Sequence, residues 1–324
     1  GRRRRWTGGG AMSGQRPERE AVIIGYGLEY LVMALNCGRS IRASNPDLAT
    51  TLVTNLPIDE AAVADVFDRV VVRDEPSDRN RHVKTSILDH AVGERVLYVD
   101  ADSEVVGDLG PAFRLLDRFD VVLRMYATPV NKPFDLAPGV PGGAFPHLHG
   151  GMFLVRHGEA ARDFLAHWQR RMVESGLSRD QPALARTVYD LPDLRLVVLN
   201  AVWCADEWEA AHLFRPKHEP PRIRHYARPH LDGGVATRLR RELDRTVELL
   251  PRGGAEDADL LRVREKYRRI THPLFGFRPT RRLYLAFAHR WGRLRGRPSV
   301  SIVDRGSAVE GRQYTRDAGR LWSD

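Results

Sequence analysis

The sequence predicts an α/β protein: a mixed, mostly parallel sheet flanked by helices, followed by a basic helical extension. Three observations carry that prediction. Short apolar runs alternate with segments of helical periodicity from residue 21 to residue 199. The hydrophobic share, 42% of 324 residues, is that of a chain with a packed core, and no window approaches the roughly 18 to 20 apolar residues of a spanning helix. The charge is segregated: residues 1–11 carry +4, residues 231–324 carry +9 (21 basic, 12 acidic), and the stretch between them holds −4 of the net +9. A mildly acidic centre between cationic flanks suits an enzyme-like domain, with no nucleic acid expected as partner.

The elements follow in order. Ala21 to Gly25 is an apolar run ending in glycine, and Leu28, Leu31, Val32, Leu35 and Ile41 then share one helical face, giving strand, turn and helix. Asn45-Pro46-Asp47 stops that helix, Ala49 to Val53 makes a second strand, and a third centres on Arg69 to Val72. His82 to Ala91 reads as one helix before a fourth strand, Arg95 to Val99. Val121 to Met125 and Gly151 to Val155 are further strands, separated by a Pro/Gly-rich loop over Thr128 to Phe145 with the character of a lid. Ala160 to Ser175 and Gln181 to Tyr189 are helices, and Leu194 to Leu199 closes the strand series. The expected organisation is a disordered Arg-rich tail over 1–19, a domain over 20–230 and a basic, mainly helical extension over 231–324. Cys37 and Cys204, the only cysteines, make neither a disulfide framework nor a thiolate zinc site, which points to a reducing, cytoplasmic setting. No apolar segment follows Arg2 to Arg5, so no secretory signal is expected.

Chemistry concentrates after the fourth strand, where Asp100-Ala101-Asp102 leaves an apolar strand at the edge on which open α/β sheets bind ligands. Alternation along an extended chain aims both carboxylates the same way, and two hard oxygen ligands suit Mn²⁺ or Mg²⁺ bridging a diphosphate.

Segments 22–55, 81–113, 145–155, 179–189 and 222–229 resemble the family 8 type of retaining, nucleotide-sugar-dependent glycosyltransferases, which adopt the GT-A fold. The pieces are Tyr30 with Ala34-Leu35 and Ser40, Arg81 with Lys84-Thr85, Asp100 and Asp102 with Gly107-Asp108-Leu109, Phe145 through Gly151-Met152-Phe153-Leu154, Asp180-Gln181-Pro182-Ala183-Leu184, and Arg222 to His225. The resemblance covers nearly all of 20–230 and neither flank.

It implies that Asp100, Asp102 and His225 hold Mn²⁺ or Mg²⁺ against the diphosphate of a nucleotide-sugar donor, a UDP-sugar first among them. Lys84 then contacts the donor, Tyr30 stacks on the base beyond Gly25, and Asp180 and Gln181 stand beside the reacting sugar as the catalytic pair. Retention in this family proceeds by front-face attack, so no enzymic nucleophile is nominated. The chain departs from the family pattern at three places. Gly27 stands where an acidic or polar residue meets the base; His149-Gly150-Gly151 replaces Asn-x-Gly, putting His149 in place of an amide; and Tyr226-Ala227-Arg228-Pro229 offers Arg228 instead of a lysine to the diphosphate. Read without the resemblance, Asp180 and Gln181 equally make a helix start, Tyr30 a core tyrosine, and Lys84 a solvated lysine.

The acceptor expected is a glycan, a lipid or a small molecule. Arg262 to Arg297 has 12 basic residues and one acid, Glu265, and Leu283, Phe287, Trp291 and Leu294 form one stripe. Segment 278–297 therefore has the make-up of an interfacial helix at the inner face of an anionic membrane, or of a terminal helix docked on the domain. Two rival classes are a nucleotidyltransferase, which calls for a Gly-rich basic phosphate loop absent after the first strand, and a non-catalytic nucleic-acid binder, which leaves the Asp-x-Asp strand idle.

Overall fold

The computed structural model describes residues 16–76, 80–126, 140, 145–175, 180–206, 209–210, 219–226, 233–250 and 257–271. Strands β1 (Arg19–Gly25), β2 (Ala49–Thr54), β3 (Arg69–Val72), β4 (Arg95–Val99), β6 (Val121–Met125), β7 (Leu148–Arg156) and β8 (Leu196–Leu199) form one sheet in the order β3-β2-β1-β4-β7-β6-β8. All neighbours pair parallel except β7, which runs antiparallel to both β4 and β6. A second, small sheet joins β5 (Ser103–Val105), β10 (Ile223–His225) and β9 (Ala205–Asp206), in that order.

Alternation along the strands builds two hydrophobic layers, one on each face. Ala21, Ile23, Leu97 and Val99 face a layer closed by α1 (Gly27–Ser44), with Leu31, Leu35 and Ile41. α4 (Gly110–Leu115) adds Phe113 to that layer, and Leu239 from α7 (Gly233–Leu249) and Val263 from α8 (Asp257–Thr271) complete it. Val22, Ile24, Val96 and Tyr98 face the other, covered by α5 (Glu159–Ser175) and α6 (Asp180–Asp190) through Phe164, Trp168 and Leu184. Asn45 caps the C-terminal end of α1, its amide donating to the Ile41 carbonyl.

The structure differs from the sequence expectations at two places. The helix expected over 82–91 is broken into α2 (Asn80–Val83), a 3-10 turn over Lys84–Ser86 and α3 (Ile87–His90), and Lys84, in the turn, is buried. β1 begins at Arg19, inside the expected tail, because the Pro17 and Glu18 carbonyls accept from the amides of Glu94 and Arg95. α7 and α8 bury Val235, Leu239, Leu243, Val263 and Tyr267 in the α1 layer. No described helix is long and apolar enough to cross a membrane.

Candidate active site

β4 is buried from Val96 to Val99 and delivers Asp100 at the edge of the sheet where the parallel strands end. The Asp100 amide donates to the Gly151 carbonyl (2.8 Å) and the Ser103 amide to the Asp100 carbonyl (3.1 Å), so residues 100–103 form a turn. The two carboxylates converge because the chain bends there; extended alternation, the reason expected from sequence, is not what brings them together. β5 leaves the turn and pairs antiparallel with β10, setting His225 opposite Ser103, while the Tyr226 amide donates to the Asp102 carbonyl.

His225 Nε2 lies 3.3 Å from Asp102 Oδ1 and 3.7 Å from Asp100 Oδ2, and the ligand atoms of the three residues fall within 4.8 Å of one another. Burial disfavours the imidazolium, but Asp102 and then Asp100 outweigh it and push the His225 pKa up to about 9. Two carboxylates and one imidazole are a hard, mixed O/N donor set. The residues fit Mn²⁺ or Mg²⁺, for which His225 must give up its proton.

Lys84 closes the cluster from the interior. Its Nζ donates to Asp180 Oδ2 (2.7 Å), the Gly150 carbonyl (3.2 Å) and Asp100 Oδ1 (3.3 Å), which engages all three ammonium hydrogens inside the protein. Tyr98, two residues before Asp100 and on the same face of β4, donates its hydroxyl to Asp100 Oδ1 at 2.5 Å. Burial raises the Asp180 carboxyl, yet the Lys84 ammonium prevails and holds it below the ordinary carboxylate range. Asp180 opens α6, its carbonyl accepting from Trp168 Nε1 (2.9 Å), and Gln181 Nε2 donates to the Tyr126 hydroxyl (3.0 Å).

The His149-Gly150-Gly151 run sits in an irregular stretch of the β6–β7 pairing: Leu123 pairs with Phe153, but Arg124 pairs with His149. The residues of β7 passed over at this shift include both glycines. A Cβ on Gly150 would stand 2.5 Å from Asp180 Oδ2, and one on Gly151 2.5 Å from Asp100 Oδ2, so the missing side chains let the strand run against both carboxylates. His149 is buried, its Nδ1 accepts from the Gly151 amide (3.0 Å), and its ring meets those of His225 (4.7 Å between centroids) and Tyr126 (4.9 Å) edge-on. Desolvation first, then the charges of His225 and Arg124, hold its pKa well below the ordinary value, which keeps it neutral.

Tyr30 lies in the first turn of α1 and is 44% exposed, while desolvation and then the Asp102 charge push its hydroxyl pKa up to about 12. Gly25 is packed against the same turn: a Cβ there would come 3.0 Å from both Ala34 Cβ and Leu31 Cα. Gly27, with φ 74°, donates its amide to Asn55 Oδ1 at 2.7 Å. Of the expected residues, Asp100, Asp102, His225, Lys84, Asp180, His149 and Gly151 are joined in one network. Gln181 touches that network through Tyr126, and Tyr30 through charge. Arg228, segment 278–297 and all of loop 128–145 except Val140 and Phe145 lie outside the described residues. Tyr98, Tyr126, Asn55 and Arg124 were not singled out from sequence; alternation with Asp100 signals Tyr98, whereas nothing local signals the others.

No family model and no curated protein matches the chain. Among solved structures it is similar to the glycosyltransferase GlyE of Streptococcus pneumoniae TIGR4 (20% identity, 64% of this chain and 54% of that one, TM-score 0.46). It is also similar to the galactosyltransferase LgtC in complex with donor and acceptor sugar analogues (16% identity, 72% and 99%, TM-score 0.48) and to mouse xyloside xylosyltransferase 1 (13%, 64% and 97%, 0.44). The chain spans about half the length of GlyE.

Proposed function

We propose that the chain is a metal-dependent glycosyltransferase that moves a sugar from a nucleoside-diphosphate donor, a UDP-sugar, to an acceptor hydroxyl with retention of configuration. The observation that supports it most is the Asp100, Asp102, His225 cluster, assembled from two sheets at the ligand edge and backed by a buried lysine.

In this reading Asp100, Asp102 and neutral His225 hold Mn²⁺ or Mg²⁺, which when bound neutralises charge on the departing diphosphate. Tyr98 and Lys84 fix Asp100 in place. Lys84 also keeps Asp180 ionised, so that Asp180 and Gln181 present an anion and an amide to the sugar as positive charge develops at its reacting carbon. Tyr30 offers an exposed ring for the base, Gly25 lets α1 start close to β1, and Gly151 keeps the metal edge open. Arg228 is proposed as a second cation for the diphosphate, and the acceptor as a glycan, lipid or small molecule.

The test is release of nucleoside diphosphate from a panel of UDP-, GDP- and dTDP-sugars with Mn²⁺, comparing the protein with Asp102→Asn. The expected result is release from one donor that needs the metal and falls on the order of 10²- to 10³-fold in the variant. No release and no metal-dependent nucleotide binding across the panel rejects the reading.

A further inference from the structure

Arg124 is fully buried on β6, and nothing in the proposed transfer uses it. Directly paired with His149 across the irregular β6–β7 stretch, it shares that residue's face of the sheet, the face on which His149 meets His225. Its guanidinium lies 5.0 Å from the ring centroid of Tyr126, whose hydroxyl accepts from Gln181. The group therefore stands behind the wall formed by His149, Tyr126 and Gln181, next to where the sugars must sit.

Its hydrogen bonding is incomplete. Nη2 donates to Glu209 Oε2, but Nε and Nη1 are buried without a partner. Glu209 is equally buried and tied to the small sheet, its Oε2 accepting from the Asp206 amide (2.9 Å) and its own amide donating to Asp206 Oδ1 (2.7 Å). Asp206 is in register with His225 on β10. A buried guanidinium with one nitrogen engaged is costly, and an apolar residue would fill this strand position with less penalty. A carboxylate already sits on the group, so a carboxylate is the ligand that its surroundings accept, and displacing Glu209 frees a planar fork that binds such a group through two nitrogens.

We propose that Arg124 is a specificity-determining residue that recognises the carboxylate of an acidic sugar, with Glu209 as its internal stand-in. The inference rests on the transferase reading and names the substrate class for that site: a uronic acid, carried by either the donor or the acceptor.

Calorimetry on the full chain with Mn²⁺ tests it in two arms. The first compares UDP-glucuronic acid with UDP-glucose; the second compares free glucuronate with glucose on the UDP-loaded protein. At least about tenfold tighter binding of the acidic sugar in one arm is expected, and the arm that shows it tells whether donor or acceptor carries the acid. Arg124→Gln should erase the preference. Because that variant takes the guanidinium away from buried Glu209 and can fail to fold, Glu209→Gln is the second probe: it keeps the guanidinium, removes the competing charge and should widen the preference. Equal affinities for acidic and neutral sugars in both arms, in the protein and in Glu209→Gln, while UDP still binds with Mn²⁺, overturn the inference and leave the transferase reading standing. Loss of all Mn²⁺-dependent UDP binding defeats that reading and this inference together.

Discussion

Both edges of the central sheet gather carboxylates, and the two edges use them in opposite ways. Where the parallel strands begin, Glu20 accepts from the Thr51 hydroxyl (2.5 Å) and from the amides of Val92 (2.7 Å) and Gly93 (2.5 Å). Asp120, on the same edge, is clamped by Arg156 (2.7 Å) and by two nitrogens of Arg195 (2.7 and 2.8 Å). Each of those carboxylates has its own donors. Where the strands end, Asp100, Asp102 and Asp180 share two cationic side chains, Lys84 and His225, Asp100 also accepts from the Tyr98 hydroxyl, and the glycines at 150 and 151 leave space beside them. Satisfied carboxylates stitch an edge together; crowded ones that compete for few cations make a place for an added one.

Gly151→Ala tests the crowded edge with the largest expected effect. The atoms its Cβ would strike are ends of the Asp100 and His149 side chains, so the ligands yield while the strand keeps its course. Metal-dependent nucleotide binding should fall about 100-fold or more, measured by titration, with the unfolding midpoint nearly kept. A large loss of stability instead would erase the distinction between the edges.

Glu20→Ala is the converse. It strands the buried Gly93 amide, the half-buried Val92 amide and a buried hydroxyl and should cost about 2–4 kcal/mol in urea unfolding, with metal affinity unchanged in the protein that stays folded.

The pH dependence sharpens the contrast because the signs oppose. His225 is raised from 6.5 to about 9, so in metal-free protein its stabilisation is full below about 6.5 and is lost as pH rises through about 9. Asp120 is lowered, first by its Arg195 hydrogen bonds, so its contribution is present above its ordinary pKa of 3.8 and is lost as pH falls through the lower folded value. Thermal melts across pH should show the alkaline decline disappear in His225→Gln and on adding Mn²⁺, and the acid decline persist in both.

Arg195→Ala should have the smallest effect, since its side chain is 54% exposed. A slight drop in midpoint that vanishes in roughly 1 M salt is expected.

Much of this molecule was legible from the chain alone. Alternating apolar runs fixed β1 to β4 and the two strands β6 and β7, because a buried parallel strand needs an unbroken apolar stretch and a helix needs a 3.6-residue stripe. The Asp-x-Asp after β4 pointed to the candidate site, since the end of a parallel strand is where a sheet opens to ligands. His225 stood apart from the chain's other histidines only through its resemblance to a family motif, and Arg124 gave no sign at all. What only tertiary structure decided is which groups meet. β5 and β10 are three residues each, too short to leave a periodic signal, yet their pairing carries His225 across more than 120 residues of sequence to Asp102. Lys84 reads on paper as a solvated cation or a donor contact, and the 3-10 turn places it inside, engaged with Asp100 and Asp180. Residue periodicity is a local property, whereas the partner of a buried charge is set by long-range packing, and that is why the sheet was readable and its ion network was not.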